Sequence, residues 1–310
     1  MNGAANDKAA ADPPAALGPR PRRWIPSLAM RLSLWLHVAA AAVVVGVAAQ
    51  VIATGALTTA AGWILAAAIA VLVLDHLALT AAGLCPRCRA LGPNITRLPA
   101  AATSQGMIAI TIDDGPDPLV TPLVLEALQK ADAKASFFLI GRNAEKHPAL
   151  VARIIREGHS VENHSWAHSV GFAFSGLNRF RAEIGRAQQS LARLAGQEPL
   201  FFRAPAGLRN PLLEPVLSNL GLPLTSWSRR GFDTVTGDPA RVLRRLIGPD
   251  GASLAAGDIL LLHDGNAART ADGQAVILSV LPPLLAACER LRLRPVSLRQ
   301  ALAAQSTPQS

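Results

Sequence analysis

The sequence contains no tyrosine, and aromatic residues make up only 4% of its 310 residues. Charged residues are also scarce, at 16%, whereas half of the residues are apolar. Such a composition is unlike that of an ordinary soluble enzyme, so we expect membrane-spanning segments. The formal net charge is +9, but no basic run interleaved with aromatics and no nucleic-acid-binding motif is present. Membrane lipids, rather than nucleic acid, are therefore the partner that this charge favours.

Cysteine is equally sparse, with three residues in the chain, which is too few for a disulfide framework. Cys85 and Cys88 have the spacing of half a zinc knuckle or of a redox pair, but no second half follows. Incidental thiols at a membrane edge are the preferred interpretation. The sequence also lacks a G-x-G-x-x-G motif and a P-loop, which argues against a nucleotide cofactor.

Long apolar runs occur near the N-terminus. We expect residues 1–30 to form a disordered basic tail and residues 31–84 a transmembrane hairpin of two helices, because runs at 32–54 and 63–84 each reach the ~20 residues that a span requires. Residues 85–102 are predicted to be a linker. A cleaved signal peptide is the alternative, since Ala48-Ala49-Gln50 resembles a cleavage site, but the apolar stretch is too long for it.

Basic residues flank this hairpin at both ends, and the turn between the runs has none. The positive-inside rule then places both ends in the cytoplasm, in the inner membrane, with the C-terminal domain facing the cytoplasm. If the second run were not inserted, the domain would lie on the periplasmic side. Asp75 and His76 interrupt that run; they have either a function at membrane depth or, as we prefer, side chains that snorkel to the interface.

From residue 103 to 300, short apolar runs alternate with amphipathic segments, and residues 301–310 are expected to be a flexible tail. This alternation predicts an α/β fold with a parallel sheet, and about seven units suggest a barrel-like closure. The predicted strands are 107–112, 135–140, 160–163, 200–203, 224–227, 259–262 and 295–298.

Polar residues follow several of these strands, where parallel α/β folds carry their active sites. Asp113 and Asp114 leave the first strand at a Gly-Pro step, although a simple turn is the alternative for this segment alone. His164 and His168 are four residues apart, so we predict that they share one face of a helical turn and reach one metal ion. Together these residues supply two imidazoles and a carboxylate. Further candidates at later strand ends are Arg203, Trp227, Asp233 and His263.

These motifs, in this order, resemble those of the polysaccharide deacetylase (NodB homology) family. Thr-x-Asp-Asp-Gly-Pro matches 111–116, His-Ser-x-x-His matches 164–168, Arg-x-Pro-x-Gly matches 203–207 and Leu-x-His matches 261–263. The resemblance covers 107–298 and implies a distorted, incomplete (β/α) barrel, here preceded by the two-helix hairpin.

The resemblance also implies one divalent metal ion, with Zn²⁺ favoured over Co²⁺, Ni²⁺, Fe²⁺ or Mn²⁺, held by Asp114, His164 and His168. The other roles that it implies are a general base (Asp113) with its partner (Arg203), a general acid (His263) with the residue that orients it (Asp233), an oxyanion donor (the N–H of Ala206) and an acyl-pocket wall (Leu261).

The fourth motif departs from the family pattern. Trp227 and Asp233 are kept, but Arg230 replaces an aspartate and Thr234 replaces a tryptophan. Arg230, beside Arg229, would contact the substrate and favours an anionic one.

We therefore predict a metal-dependent hydrolase that removes an N-acetyl or N-formyl group from an amino sugar carried on a membrane lipid. A peptidoglycan or exopolysaccharide deacetylase outside the cytoplasm is the first alternative. A membrane-tethered glycan-binding module without turnover is the second.

Overall fold

The computed structural model of the chain describes residues 20–304. It begins with two long helices, α1 (Leu28–Thr54) and α2 (Thr59–Leu84), joined by a short turn. Ser27 and Thr58 cap their N-termini through side-chain oxygens, and Gly55 ends α1 with a φ of 73°. At 1.5 Å per residue each helix is about 40 Å long, so either could cross a hydrocarbon core of about 30 Å. The two apolar helices are compatible with a membrane anchor.

Polar side chains connect the first part of α1 to the C-terminal half of α2. Ser33 Oγ on α1 donates a hydrogen bond to Asp75 Oδ2 on α2 at 2.7 Å. The rings of His37 and His76 lie 5.1 Å apart, centroid to centroid. The Ser33 hydroxyl thus provides a partner for the Asp75 carboxylate. The interpretation that Asp75 and His76 snorkel to the interface stays a prediction.

The domain that follows alternates strands and helices. Its strands are β1 (Met107–Asp113), β2 (Ala135–Leu139), β3 (Ser160–Asn163), β4 (Arg229–Arg230), β5 (Ile259–His263) and β6 (Arg294–Val296). Its helices are α3 (Ala100–Ser104), α4 (Thr121–Lys130), α5 (Gly141–Lys146), α6 (Pro148–Arg156), α7 (Leu177–Ala195), α8 (Leu213–Leu220), α9 (Pro239–Ile247), α10 (Val276–Arg290) and α11 (Leu298–Ala303). The strands form one parallel sheet in the order β3-β2-β1-β5-β4, with β6 paired to the first residues of β1.

Irregular segments bring the two edges of this sheet together. Phe202 bridges Asn163 at the end of β3 and also Leu224, and the segment that contains Leu224 continues into β4. Because β4 pairs with β5, the chain returns to the sheet from its other side. The result is the distorted α/β barrel that the sequence predicts.

Two of the predicted strands are reduced to isolated bridges, at Phe202 and Leu224. Side chains compete for the backbone groups of both segments. Glu162 Oε2 accepts from the Leu200 and Phe201 N–H groups at 2.8 and 3.0 Å. The Arg203 guanidinium donates to the Thr225 and Ser226 carbonyls at 3.0 and 2.9 Å.

The strand predicted at 295–298 was wrong at its end, since the Ser297 side chain caps α11 instead.

Side chains of β1 alternate between two cores. Ile108, Ile110 and Ile112 are fully buried and pack outward against the helices. Met107 and Ala109 face the barrel interior with Leu261 and Trp227. Since successive side chains of a strand point to opposite faces, Asp113 at the end of β1 also belongs to the inward set. The fold thus places a carboxylate at the mouth of the barrel.

Candidate active site

Asp113 is held at the barrel mouth by a buried arginine. Arg203 Nη1 lies 2.6 Å from Asp113 Oδ1, and both side chains are almost fully buried. The same Nη1 donates to Thr111 Oγ1 at 2.7 Å, and the guanidinium lies over the Phe138 ring at 4.1 Å. A buried carboxylate is expected to require such a cation, as the sequence indicated. The pair leaves Asp113 Oδ2 free to face the cleft, 3.7 Å from His164 Nε2.

Three candidate metal ligands converge beside Asp113. Asp114 Oδ1 lies 3.2 Å from His164 Nε2 and 3.1 Å from His168 Nε2. One donor atom from each residue lies within 4.8 Å of the others. Asp114 Oδ1 is buried and has no hydrogen-bond partner among the described residues. His164 Nδ1 is 2.8 Å from the carbonyl oxygen of Arg203, which fixes the ring so that Nε2 points to the shared site.

The local backbone here differs from the sequence prediction. His164 and His168 do not lie on a helical turn, because β3 ends at Asn163 and the residues after it form an irregular loop. Ser165 and His168 have positive φ values of 65° and 49°. Asn163 Oδ1 accepts a hydrogen bond from the Ser165 N–H and stabilises the turn. The i, i+4 spacing brings the imidazoles together through this loop.

The charges of this cluster shift one another. Burial raises the pKa of Asp114, but its close contact with His164 and the positive charges of His164, His263 and His168 outweigh that effect and hold the pKa below its usual range. Burial lowers the pKa of His164, but Asp113 and Asp114 raise it above its usual value. Burial and the neighbouring His164 lower the pKa of His168. The arrangement favours a carboxylate between two imidazoles, which is a donor set suited to a divalent cation.

His263 ends β5 on the other side of the cleft. Its Nδ1 lies 2.9 Å from Asp233 Oδ1, and Asp233 Oδ2 accepts a hydrogen bond from the His263 N–H at 2.7 Å. Although burial lowers the pKa of His263, the Asp233 carboxylate raises it to a net value above the usual range. Because Asp233 occupies Nδ1, Nε2 is the nitrogen available to the cleft.

The remaining predicted residues line a cleft of about 190 Å³. Leu261 and Trp227 are buried in its wall, and Ala206 has a φ of 55° in a turn after Arg203. Arg230 lies at the edge, with its guanidinium 5.4 Å from the centroid of the Trp227 ring. The structure therefore brings every predicted site residue to one cleft or to direct contact with its lining.

One lining residue was missed by the sequence analysis. Asn266 Nδ2 donates a hydrogen bond to Asp114 Oδ2 at 3.0 Å and holds the carboxylate opposite its free oxygen. It lies three residues after His263, in the same loop. A polar residue just beyond the Leu-x-His motif was the available signal.

Comparisons with known proteins identify the domain. The family model for polysaccharide deacetylases matches residues 100–225. A peptidoglycan-N-acetylglucosamine deacetylase of Bacillus cereus is 32% identical over 183 residues, which are 58% of this chain and 83% of the relative. A chitooligosaccharide deacetylase of Azorhizobium caulinodans is 35% identical over 52% of this chain and 75% of its own. Another B. cereus peptidoglycan-N-acetylglucosamine deacetylase is 38% identical, but the match spans only 50% of that protein.

Solved structures share the fold. A crystal structure of a peptidoglycan N-acetylglucosamine deacetylase superposes with a TM-score of 0.59 at 27% identity, over 67% of this chain and 92% of that one. A family 4 carbohydrate esterase from Streptomyces lividans, in complex with acetate, gives 0.54 at 27% identity, over 61% and 91%. A family 4 pseudoenzyme from Bacillus anthracis gives 0.58 at 20% identity, over 69% and 70%, which shows the fold alone. On these grounds, the chain belongs to the polysaccharide deacetylase family.

Proposed function

We propose that this chain is a metal-dependent hydrolase that removes an acetyl or formyl group from the nitrogen of an amino sugar. The observation that carries the proposal is the convergence of three metal-ligating side chains, a carboxylate and a histidine on one small cleft. The names of the relatives, which are deacetylases of peptidoglycan and of chitooligosaccharides, agree with the reaction class.

Asp114, His164 and His168 would hold the metal ion, with Zn²⁺ favoured by the two imidazoles. The unpartnered Asp114 Oδ1 supports this assignment, because a buried carboxylate oxygen without a hydrogen-bond donor requires another positive partner. A divalent ion bound there would polarise an amide carbonyl and lower the pKa of a water molecule. Asn266 would keep the carboxylate in place through its other oxygen.

Asp113 would act as the general base. Its Oδ1 is occupied by Arg203 at 2.6 Å, which orients the carboxylate and leaves Oδ2 as the proton acceptor. Oδ2 lies 3.7 Å from His164 Nε2, so a water molecule beside the proposed metal ligands would be within reach of this oxygen. Proton transfer by a positioned carboxylate typically contributes ~10²–10⁴-fold to a rate.

His263 would act as the general acid. An amine is a poor leaving group unless a proton reaches its nitrogen as the C–N bond breaks. His263 is suited to donate that proton from Nε2, because Asp233 holds Nδ1 at 2.9 Å and raises the pKa of the imidazole.

The cleft walls would orient the acyl group and the sugar. The Ala206 N–H would donate to the oxyanion of the tetrahedral intermediate. Leu261 is buried in the cleft and would contact the acyl methyl, while Trp227 and Arg230 would contact the sugar. The cleft is small, which favours acetyl or formyl over longer acyl groups.

Two alternatives differ in substrate or in turnover. The names of the relatives favour a peptidoglycan deacetylase that works outside the cytoplasm, whereas the flanking charges of the hairpin favour a cytoplasmic domain and a lipid-linked amino sugar. A glycan-binding module without turnover is disfavoured, because the proposed base, acid and metal ligands all line the cleft.

Acetate release from an N-acetylglucosamine tetramer, measured with the full chain in neutral detergent before and after a metal chelator, tests the proposal. We expect release that stops with the chelator and returns on addition of Zn²⁺. Binding of the tetramer without acetate release, with metal present, would favour the binding module and contradict the enzymatic assignment.

A further inference from the structure

A second, larger depression of about 790 Å³ adjoins the catalytic cleft. Ala206, Trp227 and Arg230 line both, so the two spaces share a wall. We call this second depression the arginine groove. It also contains Leu84, the last residue of α2, and residues of the following linker. The arginine groove therefore extends from the end of the apolar hairpin to the proposed reaction site.

Hydrogen bonds and close packing fix the hairpin and linker against this part of the domain. The Arg209 N–H donates to the Gly83 carbonyl at 3.1 Å, and Arg87 Nη1 donates to the Ser228 carbonyl at 3.0 Å. A Cβ on Gly207, which has a φ of 74°, would lie 2.6 Å from the Trp227 ring and 2.7 Å from Pro86. The linker thus packs directly on the turn that carries Ala206. The walls of the arginine groove are therefore held in place by contacts between the linker and the domain.

The charge of the arginine groove is strongly positive. Its lining includes one carboxylate, Asp258, which pairs with Arg97 at 3.0 Å and with Arg229 at 2.8 Å. Among the residues that the structure describes, the other lining arginines form no ion pair with a carboxylate. These arginines are Arg87, Arg230 and Arg245.

Two of these cations lie against the ring of Phe232. The guanidinium carbons of Arg230 and Arg245 lie 4.8 and 5.1 Å from the centroid of this ring, and Phe232 is 43% exposed. Arg230 Nε is buried without a hydrogen-bond partner in the described part of the chain. Like charges that contact the same ring repel each other, and a bound anion would offset this repulsion. Guanidinium groups bind phosphate oxygens in a bidentate geometry.

We propose that the arginine groove binds the phosphate or diphosphate that links the amino sugar to a membrane lipid. The sugar would enter the catalytic cleft past Trp227 and Arg230, while the lipid chain would leave along α2 into the bilayer. The location next to Leu84 favours a lipid-linked phosphate over a free sugar phosphate. This inference rests on the proposed deacylase function and applies on either side of the membrane.

The test compares two substrates, a short-chain polyprenyl diphosphate-linked N-acetylglucosamine and the neutral N-acetylglucosamine tetramer. The variant Arg87→Gln/Arg245→Gln removes two charges from the arginine groove. The matched control, Arg241→Gln/Arg244→Gln, removes two exposed charges from α9 outside it. We expect the ratio of kcat/KM for the charged substrate to that for the neutral one to fall about 100-fold in the groove variant, as for two lost charge-assisted contacts, mainly through KM. The control should keep the wild-type ratio. An equal fall in both variants, or in neither, would overturn the inference.

A binding experiment separates failure of this inference from failure of the proposed function. If neither substrate is hydrolysed, the deacylase proposal fails, but geranyl diphosphate binding can still be measured calorimetrically on the full chain with a chelator present. The inference predicts binding that weakens about 100-fold in the groove variant. Absence of binding would overturn it. Loss of binding upon addition of phosphatidylglycerol vesicles, but not of phosphatidylcholine vesicles, would also overturn it, because the arginine groove would then bind bulk lipid headgroups.

Discussion

At the scale of single residues, the chemistry of this chain lies in side chains that follow buried strands. The residues at positions 113, 114 and 263 could be predicted as site residues because short apolar runs mark the strands and the next polar residue marks the strand end. Asn266 was not predicted, since its role depends on its contact with Asp114 across 152 positions of sequence. Its position three residues after His263 marked it only as a polar residue near the motif, and the sequence does not show which side chain it contacts.

Replacement of Asp113 tests the proposed base. Asp113→Asn keeps the size of the side chain but removes its basicity, so we expect kcat to fall by about 10²–10⁴-fold. Acetate release and metal content are measured together, because the three proposed ligands are unchanged and the metal should stay bound. Glu126→Gln, an exposed change on α4, serves as the control. Retained turnover in Asp113→Asn would refute the role of the base.

The pH profile tests the proposed acid. Because Asp233 raises the pKa of His263, the imidazolium persists to a higher pH, and kcat/KM should fall as pH rises through that pKa. Asp233→Asn removes the carboxylate that raises the pKa of His263, whereas the burial that lowers this pKa is unchanged. The alkaline limb of the kcat/KM profile should then move to lower pH. A limb that stays in place would show that another group controls it.

At the scale of elements, the regular strands could be predicted and the irregular ones could not. The predicted runs at 107–112, 135–140, 160–163 and 259–262 agree with β1, β2, β3 and β5 to within one residue at each end. The segments around Phe202 and Leu224 have similar apolar character, but the side chains of Glu162 and Arg203 compete for their backbone N–H and carbonyl groups. A prediction from local pattern alone does not include that competition.

Arg203 is the residue that connects these elements. Its guanidinium contacts Thr111, Asp113, Thr225 and Ser226, and so joins β1 to the segment before β4. Arg203→Lys keeps the charge but cannot form this planar set of hydrogen bonds. We expect a loss of unfolding free energy of about 3 kcal/mol, in the range for a broken buried ion pair, measured by chemical denaturation. The surface change Arg193→Lys should have little effect, because its pair with Glu145 is exposed. An equal effect of both changes would contradict this account of Arg203.

At the scale of the whole molecule, the hairpin and the domain form one structure. The domain boundary expected near residue 102 stays a prediction. Linker residues before this position pack on the domain, since the Ile95 N–H donates a hydrogen bond to the Leu224 carbonyl. The arginine groove could not be predicted from the sequence, since it combines residues from α2, the linker, β4 and α9. The expected tails lie largely outside the described residues.

The membrane orientation is open to a direct test. Basic residues flank the hairpin at both ends, so we expect a reporter fused to the C-terminus to be active in the cytoplasm. Paired fusions of alkaline phosphatase, which is active outside the cytoplasm, and a cytoplasmic reporter provide the measurement. Activity of the phosphatase fusion alone would place the domain outside and favour a peptidoglycan substrate.

The central claim is that Asp114, His164 and His168 together hold one divalent metal ion. Elemental analysis of the purified full chain, wild type and variants, measures this most directly. The account predicts one Zn²⁺ or equivalent ion per chain in the wild type and in Asp113→Asn, and a loss of at least about 90% in His168→Gln, whose side chain is the most exposed of the three ligands and least needed for folding. Circular dichroism checks that each variant is folded. We expect His164→Ala to lose the metal as well. Full metal content in either of these two variants, if it is folded, would contradict the account.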